Sequence, residues 1–542
     1  MFLFKWINEI SNKDRYRKAW FVIACLVFII IIVIPAIFVV FKMFTEWNIV
    51  SAVFSDPQMM SAIKGALWNS FSIAAIVTTI DILAGIPMAW ILVRKQFRGK
   101  KYLDTLMDMP LAFPTAVLGI SVVMLWGAPA GVSIPGTGLV ASPYIMIILL
   151  HIIFSYPYMV RSLSAILEQI EPNYETAAMT LSASRFTAVR TITLPLFRAG
   201  LATGTILCFA RSLSETGGTN IALTMMGVNT TFFTGPTFIA FTNSGTGPTT
   251  LISVLMIVLA LILLVIVKLL IMRFKIPIKK VWPKFGRIVS RGAVPKLKDA
   301  FSIAFLAVIV LLPSFYIFAY LTQPIAHIDY VMLLSSIGIS FMIAGIAVAF
   351  NIIFGIPLAL YIARNRNTKL GNILDSLVNV PLIIPTTALG LSLGLFWGSM
   401  HVGGSMSILL VILGHISFTF PLIVRNIIGA VEEVDPSYEE VAMTLGAKPF
   451  QAFSKVLMPI VKSSIIAGAI LAFTRSLGET GATQAIGNAI GTQVNTVPIY
   501  ITNLIKAHNY PEAALCSIIL ILICFVLIFM VRVILSRGEH NA

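Results

Sequence analysis

Residues 171–195 read EPNYETAAMTLSASRFTAVRTITLP, and residues 435–459 read DPSYEEVAMTLGAKPFQAFSKVLMP. Each is a polar, helix-signalled island between apolar runs long enough to cross a bilayer, so each offers itself to a grip from outside the membrane. In the second copy Asp435 suits an N-cap and Pro436 the first helical position. Glu439 and Glu440 lie near the positive end of the helix dipole, and Gly446 suits a stop. Tyr438, Val441, Ala442 and Leu445 recur at i, i+3, i+4 and i+7, giving a short helix one small apolar face, and Tyr174, Ala177, Ala178 and Leu181 repeat it. A helix of this length is marginal in water alone, so the face implies a partner surface. A plain surface helix would account for the capping but not for a second, nearly matching copy.

Working outward, 58% of the chain is hydrophobic and 11% charged, far from the roughly 25% charge of soluble domains. Apolar stretches fit six spans near 19–41, 65–93, 107–127, 143–163, 196–215 and 250–272, then six more near 300–321, 331–363, 377–398, 406–427, 461–479 and 511–535. The expected fold is therefore an all-α polytopic membrane protein of about twelve transmembrane helices. Thirty of the 38 lysines and arginines fall in segments on one side of such a layout. By the positive-inside rule that side is cytoplasmic and holds both termini, the middle linker and both islands. The net charge of +16 thus reports topology, and nucleic-acid binding is not needed to explain it. The first span is too long for a cleavable signal and reads as an anchor. Cys25, Cys208, Cys516 and Cys524 all lie in apolar runs, with no disulfide framework or metal-ligand spacing.

The chain repeats itself. Residues 171–222 match 435–486 at 22 of 52 positions with a constant offset of 264. Upstream the offset is 270 to 271, and the longer outer loop GAPAGVSIPGTGLVASP of the first half takes up the difference. An even number of spans per half makes the copies parallel, related by an axis along the membrane normal. The expected division is a basic, part-amphipathic segment 1–18, a first repeat 19–272, a basic linker 273–299, a second repeat 300–535 and a tail 536–542.

The islands resemble the signature of permease subunits of binding-protein-dependent ATP-binding-cassette importers: EAA, three residues, Gly, nine residues, then an apolar residue, one more and Leu-Pro. Glu440-Val441-Ala442, Gly446, Val456 and Met458-Pro459 follow it, as do Thr176-Ala177-Ala178, Ile192 and Leu194-Pro195. The first copy departs twice, with Glu175 one residue early and Ser182 in place of Gly. The resemblance implies a fused, two-half importer permease of the inner membrane, gripped by two copies of a separate ATPase subunit and served by an extracytoplasmic solute-binding protein. It nominates Glu175, Ala177, Ala178, Ser182, Glu439, Glu440, Ala442 and Gly446 as the coupling residues. It also implies that ATP and Mg bind the partner subunit; no GxxxxGK[ST] loop, nucleophile elbow or other catalytic constellation occurs here, so the chain itself is no enzyme.

Four further patterns nominate pathway residues. Asp81 is a carboxylate within a span and hence a functional candidate, but Asn351 holds its place in the second half, which favours an interhelical structural role. MPLAFPTAVLG at 109–119 returns as VPLIIPTTALG at 380–390; the paired prolines predict broken helices, either lining a pathway or simply kinked for packing. His151 and His415 fall toward the outer ends of their spans, within reach of a substrate, with no second ligand for a metal; Arg161 and Arg425, at the cytoplasmic ends, are explained by snorkelling. ARSLSETGGT at 210–219 and TRSLGETGAT at 474–483 set Arg211 four residues before Glu215 and Arg475 before Glu479, a spacing at which each pair can neutralise itself. Counted from Pro195 at ~1.5 Å per residue, Arg211 lies about 24 Å along its helix. This segment resembles permeases for oxyanions (sulfate, molybdate, tungstate, phosphate). Ferric-iron and thiamine permeases share the two-half layout and remain alternatives, as does, from another class, a secondary transporter.

Overall fold

The computed structural model describes residues 14–128, 136–228, 230–242, 245–273, 293–323, 328–400 and 406–539. Residues 1–13, most of the basic linker, part of the longer outer loop and the last three residues lie outside the described residues. Every regular element described is helical. In the first half α1 is Lys18–Thr45, α2 Pro57–Arg94, α3 Lys100–Ala112, α4 Thr115–Trp126, α5 Pro143–Gln169, α6 Pro172–Thr180, α7 Arg198–Leu213, α8 Gly217–Met225, α9 Gly235–Phe241 and α10 Thr246–Arg273. The second half answers with α11 Val294–Thr322, α12 Tyr330–Arg364, α13 Lys369–Val378, α14 Thr386–Ser399, α15 Ser407–Glu433, α16 Ser437–Thr444, α17 Met458–Leu477, α18 Gly481–Ile490, α19 Val497–Lys506 and α20 Tyr510–Glu539. Among the described residues nine helices are long and apolar enough to cross a membrane, and twelve if each of three sharply bent pairs is one span. The chain is an all-α polytopic membrane protein.

Proline sets most of the irregularity. Four π turns occur at Ile29–Val33, Val189–Thr193, Leu306–Leu311 and Phe453–Leu457, and each ends two residues before a proline: Pro35, Pro195, Pro313 and Pro459. A proline brings no N–H and its ring crowds the carbonyl four residues back, so the preceding turn widens. The paired prolines do break their helices as the sequence predicts. Helices Lys100–Leu111 and Thr115–Trp126 meet at 105°, and Lys369–Ile383 and Thr386–Ser399 at 104°. The bends fall within the expected spans 107–127 and 377–398, because neither Pro114 nor Pro385 supplies the amide that would carry the helix across.

The two halves exchange their first spans. The α1 helix packs on α12 and α14 of the second half, with Phe28 stacked on Phe420 at 5.2 Å, while α11 packs on α2 and α4 of the first half and sets Phe305 against Tyr156 at 5.2 Å. One polar contact repeats at each crossing. Ser392 in α14 donates to the Pro35 carbonyl at 2.6 Å and accepts the Val39 amide at 2.8 Å; Ser121 in α4 likewise donates to the Pro313 carbonyl and accepts the Ile317 amide at 2.8 Å. A buried hydroxyl thereby serves the backbone groups next to each proline, which would be costly to leave unpaired in a lipid-embedded bundle.

Candidate functional site

At the end of the bundle where the basic loops lie, α6 and α16 sit on the surface as the sequence predicts, each held from below by one arginine. Arg94, the last residue of α2, donates to the Ile170 carbonyl at 2.6 Å and pairs with Glu175 at 3.7 Å; Glu175 also accepts the Thr193 hydroxyl at 2.7 Å. Arg364, the last residue of α12, donates to the Val434 carbonyl at 3.0 Å and to Glu439 at 2.8 Å. The arginines were missed in the sequence although they recur at the repeat offset, because other membrane helices separate each from its partner, with 75 residues between Arg364 and Glu439. Their role sorts the nominated glutamates. Glu175 and Glu439 are consumed in anchoring, whereas Glu440 is exposed and has no side-chain partner among the described residues.

The helix ends follow from their residues. Helix α16 opens at Ser437, one residue later than expected, and Asp435 accepts the Ser437 amide at 2.8 Å. That amide and the Ser437 hydroxyl hold the Asp435 carboxyl below the usual carboxylate range. Gly446 closes the helix in the left-handed region at φ 90°, its amide donating to Met443 and that of Ala447 to Ala442, both at 3.0 Å. Ser182 adopts the same conformation, φ 67°, with the equivalent bonds to Met179 and Ala178. The apolar stripes are left uncovered: Leu181 is 85% exposed and Leu445 83%, with Tyr174, Tyr438 and Val441 more than half exposed. Beside α6 lies an open groove of about 500 Å³ lined by Tyr174, Ala177, Ala178, Leu181, Ile192 and Leu196.

The second constellation lies inside. Helix α7 ends at Leu213, and after Ser214–Thr216 the chain turns into α8, a buried leg packed along α4; α17 and α18 repeat this against α14. The expected spans 196–215 and 461–479 end where these second legs begin, and the legs themselves were not foreseen. The position estimated for Arg211 is corrected. Its helix starts at Arg198, after a 68° bend, so Arg211 lies about 20 Å along it, at an internal break. Arg211 pairs with Glu215 at 2.8 Å and Arg475 with Glu479 at 2.5 Å, so the self-neutralising arrangement is the one adopted. Each carboxylate also accepts the first turn of the next leg, Glu215 the Gly218 amide at 3.1 Å and Glu479 the Ala482 amide at 2.9 Å. Each arginine lies over an aromatic ring, Arg211 4.5 Å from Phe154 and Arg475 5.4 Å from Phe418.

Here the halves touch. A constriction of about 10 Å³, room for about one water, is lined by Arg211, Glu215 and Thr216 from one half and Arg475, Glu479 and Thr480 from the other. A Cβ on Gly217 would stand 2.6 Å from the Thr480 hydroxyl, and one on Gly481 2.6 Å from the Thr216 hydroxyl, so only glycine permits this approach.

Three expectations change or sharpen nearby. The histidines are not at the substrate-facing rim: each is buried and spans a break, His151 pairing with Ser212 at 2.8 Å and Thr219 at 2.8 Å, His415 with Ser476 at 2.6 Å and Thr483 at 3.0 Å. Arg161 and Arg425 do not snorkel. Arg161 binds Asp104 and Asp108, each at 2.7 Å, and Arg425 binds Asp375 at 2.6 Å and Asn379 at 2.9 Å, fastening α3 and α13 to the long spans. Asp81 accepts the Ser155 hydroxyl at 2.5 Å, and Asn351 donates to Thr419 at 2.8 Å and to the Ile416 carbonyl at 3.2 Å, so both link two helices. No cluster of metal-binding side chains occurs among the described residues.

A duplicated helical bundle that offers two anchored but uncovered helices at one end, and closes on a charged constriction between its halves, has the architecture of a membrane permease. The chain belongs to the family of binding-protein-dependent transport system inner membrane components, whose model matches twice, at residues 81–276 and 355–538. It is 32% identical over 209 residues to the sulfate transport system permease protein CysT of Salmonella typhimurium, covering 37% of this chain and 75% of that protein. It is 33% identical over 210 residues to the probable transport system permease protein NifC of Clostridium pasteurianum, covering 37% and 73%. Against the sulfate permease CysW of Synechocystis the figures are 28% over 219 residues, 38% and 79%. Each of these matches thus covers a little over a third of this chain and about three quarters of the relative.

Proposed function

We propose that this chain supplies both halves of the transmembrane pathway of an importer that takes up an inorganic oxyanion of the sulfate class. Both termini and both coupling helices lie on the cytoplasmic side of the inner membrane, a reading supported by the distribution of basic residues. One copy of an ATPase subunit grips α6 and a second grips α16; ATP and Mg reside on those subunits. A loaded binding protein docks on the opposite face. ATP-driven closure of the ATPase pair draws α6 and α16 together, and because Arg94 and Arg364 tie these helices to the long spans α2 and α12, the movement is passed to the constriction between the halves. Hydrolysis resets it. The observation that carries this reading is the pair of apolar stripes left uncovered on helices that are otherwise firmly anchored.

The oxyanion assignment draws on the sulfate permeases among the relatives and on the two arginines at the constriction. Ferric-iron and thiamine cargo gain nothing from that charge pattern, and a secondary transporter would leave the coupling helices without a role. The test is reconstitution with an ATPase and a solute-binding protein that copurify with the chain, followed by ATP-dependent uptake of labelled sulfate into proteoliposomes. Leu181→Asp together with Leu445→Asp is expected to release the ATPase from the purified complex and abolish uptake while the permease stays monodisperse. Full ATPase retention in that variant would sink the coupling assignment.

A further inference from the structure

The constriction contains more than two ion pairs. Arg211 and Arg475 are 16% and 28% exposed, whereas Glu215 and Glu479 are sealed at 3% and 4%. A solute reaching this point therefore meets guanidinium before carboxylate. Each carboxylate divides its oxygens between an arginine and the first turn of the following leg, so one anionic group fills a cradle made of a guanidinium and a helix N-terminus. The cradles face each other across the contact between halves. The Thr480 hydroxyl in this lining is 2% exposed and finds no hydrogen-bond partner among the described residues. A buried polar group left unpaired costs free energy, and one that lines a cleft is open to completion by whatever enters it.

Resting on the oxyanion reading above, we propose that this constriction is a transit site for the transported oxyanion, and that Glu215 and Glu479 are built-in stand-ins that hold its place until it arrives. When the halves part, the anion bridges Arg211 and Arg475 and takes up the Thr480 hydroxyl, and when they close the two carboxylates reclaim their arginines and expel it. The exchange keeps the arginines compensated throughout, since an unpaired charge at this depth is expensive. It also keeps the site weak. A carboxylate one helical turn away competes at a high effective concentration, so the anion does not become trapped.

Glutamine separates the two roles of each glutamate, because its amide oxygen still accepts the capping N–H while its neutral charge frees the arginine. The experiment is equilibrium binding of labelled sulfate, without binding protein, to the full chain and its ATPase in lipid nanodiscs. Glu215→Gln/Glu479→Gln is expected to bind sulfate saturably and at least ten-fold more tightly than the unaltered chain, and to lose that gain when Arg211→Gln and Arg475→Gln are added. The single variants Glu215→Gln and Glu479→Gln, read in the same way, each show a smaller gain and decide the matter if the double variant does not fold. Sulfate binding no tighter than that of the unaltered complex, or tighter binding that survives loss of both arginines, overturns the transit site. That failure is distinct from failure of the oxyanion reading, which would show as absent sulfate uptake by the unaltered complex.

Discussion

The turn that closes α6 and the turn that closes α16 have one shape and two chemistries. Both place a residue in the left-handed region and both return the next amide to the fifth residue back, but one uses Ser182 and the other Gly446. For an L-residue that conformation costs roughly 1–2 kcal/mol, and for glycine almost nothing. The first half therefore tolerates strain to keep a shape that the second half adopts freely. The same contrast recurs inside the membrane, where Asp81 and Asn351 make the same interhelical link with a carboxylate and an amide. At the constriction the contrast vanishes: arginine, glutamate, threonine and the bracing histidine are identical in both halves. The halves have been free to drift where one geometry admits two residues. They have stayed alike where each faces the other across the axis.

The largest expected effect tests whether the link at Asp81 and Asn351 is structural. Asn351→Asp removes the amide that donates to Ile416 and Thr419 and sets a carboxylate against a carbonyl, which costs about 3 kcal/mol in a buried site. The purified variant should show a clear fall in its thermal unfolding midpoint. Asp81→Asn only imports the second half's solution and should stay within about 0.5 kcal/mol of the unaltered chain, with uptake intact. Loss of uptake in Asp81→Asn with an unchanged midpoint would make that carboxylate part of the pathway and break the comparison.

A smaller effect is expected at the coupling turns. Gly446→Asp puts an L-residue at φ 90° for the first time, where nothing lies within 4 Å of the new Cβ, so the penalty comes from the backbone and not from crowding. At about 1.4 kcal/mol it should lower binding-protein-stimulated ATP hydrolysis roughly ten-fold. Ser182→Asp exchanges one L-residue for another that tolerates this conformation and should lower it no more than about two-fold. Equal defects would remove the asymmetry between the two turns.

The repeat, the two capped surface helices and the Arg–Glu pairs were legible in the sequence because each is local: a spacing, a cap, a stop or an i, i+4 pair. What was not legible depends on contacts between distant segments. The exchange of first spans rests on Ser121 and Ser392 reaching prolines about 190 and 360 residues away, and nothing in either neighbourhood announces it. The break after Leu213 was hidden because SLSETGGT carries no proline; it is stabilised by Glu215 capping the next leg and His151 bridging the gap. A usable signal did exist. Ser212, Thr219 and His151 recur as Ser476, Thr483 and His415, and three polar residues retained together in an apolar region mark a shared buried network.

The smallest effect sharpens the contrast most directly. If Ser182 is strained only by its backbone, Ser182→Gly should stabilise the α6 turn by about 1 kcal/mol, since glycine populates the left-handed region freely and this side chain is exposed. Part of that gain is returned because glycine has more freedom to lose on folding. The net change should therefore be positive but modest, seen as slower amide hydrogen exchange at Ala183, whose N–H closes the turn onto Ala178. Two consequences would separate. If the strained serine merely weakens the first coupling turn, Ser182→Gly raises ATPase retention above that of the unaltered chain. If the Ser182 hydroxyl is itself a contact for the ATPase, exchange at Ala183 slows but retention falls, and the first half's departure becomes a specificity feature of the docking face.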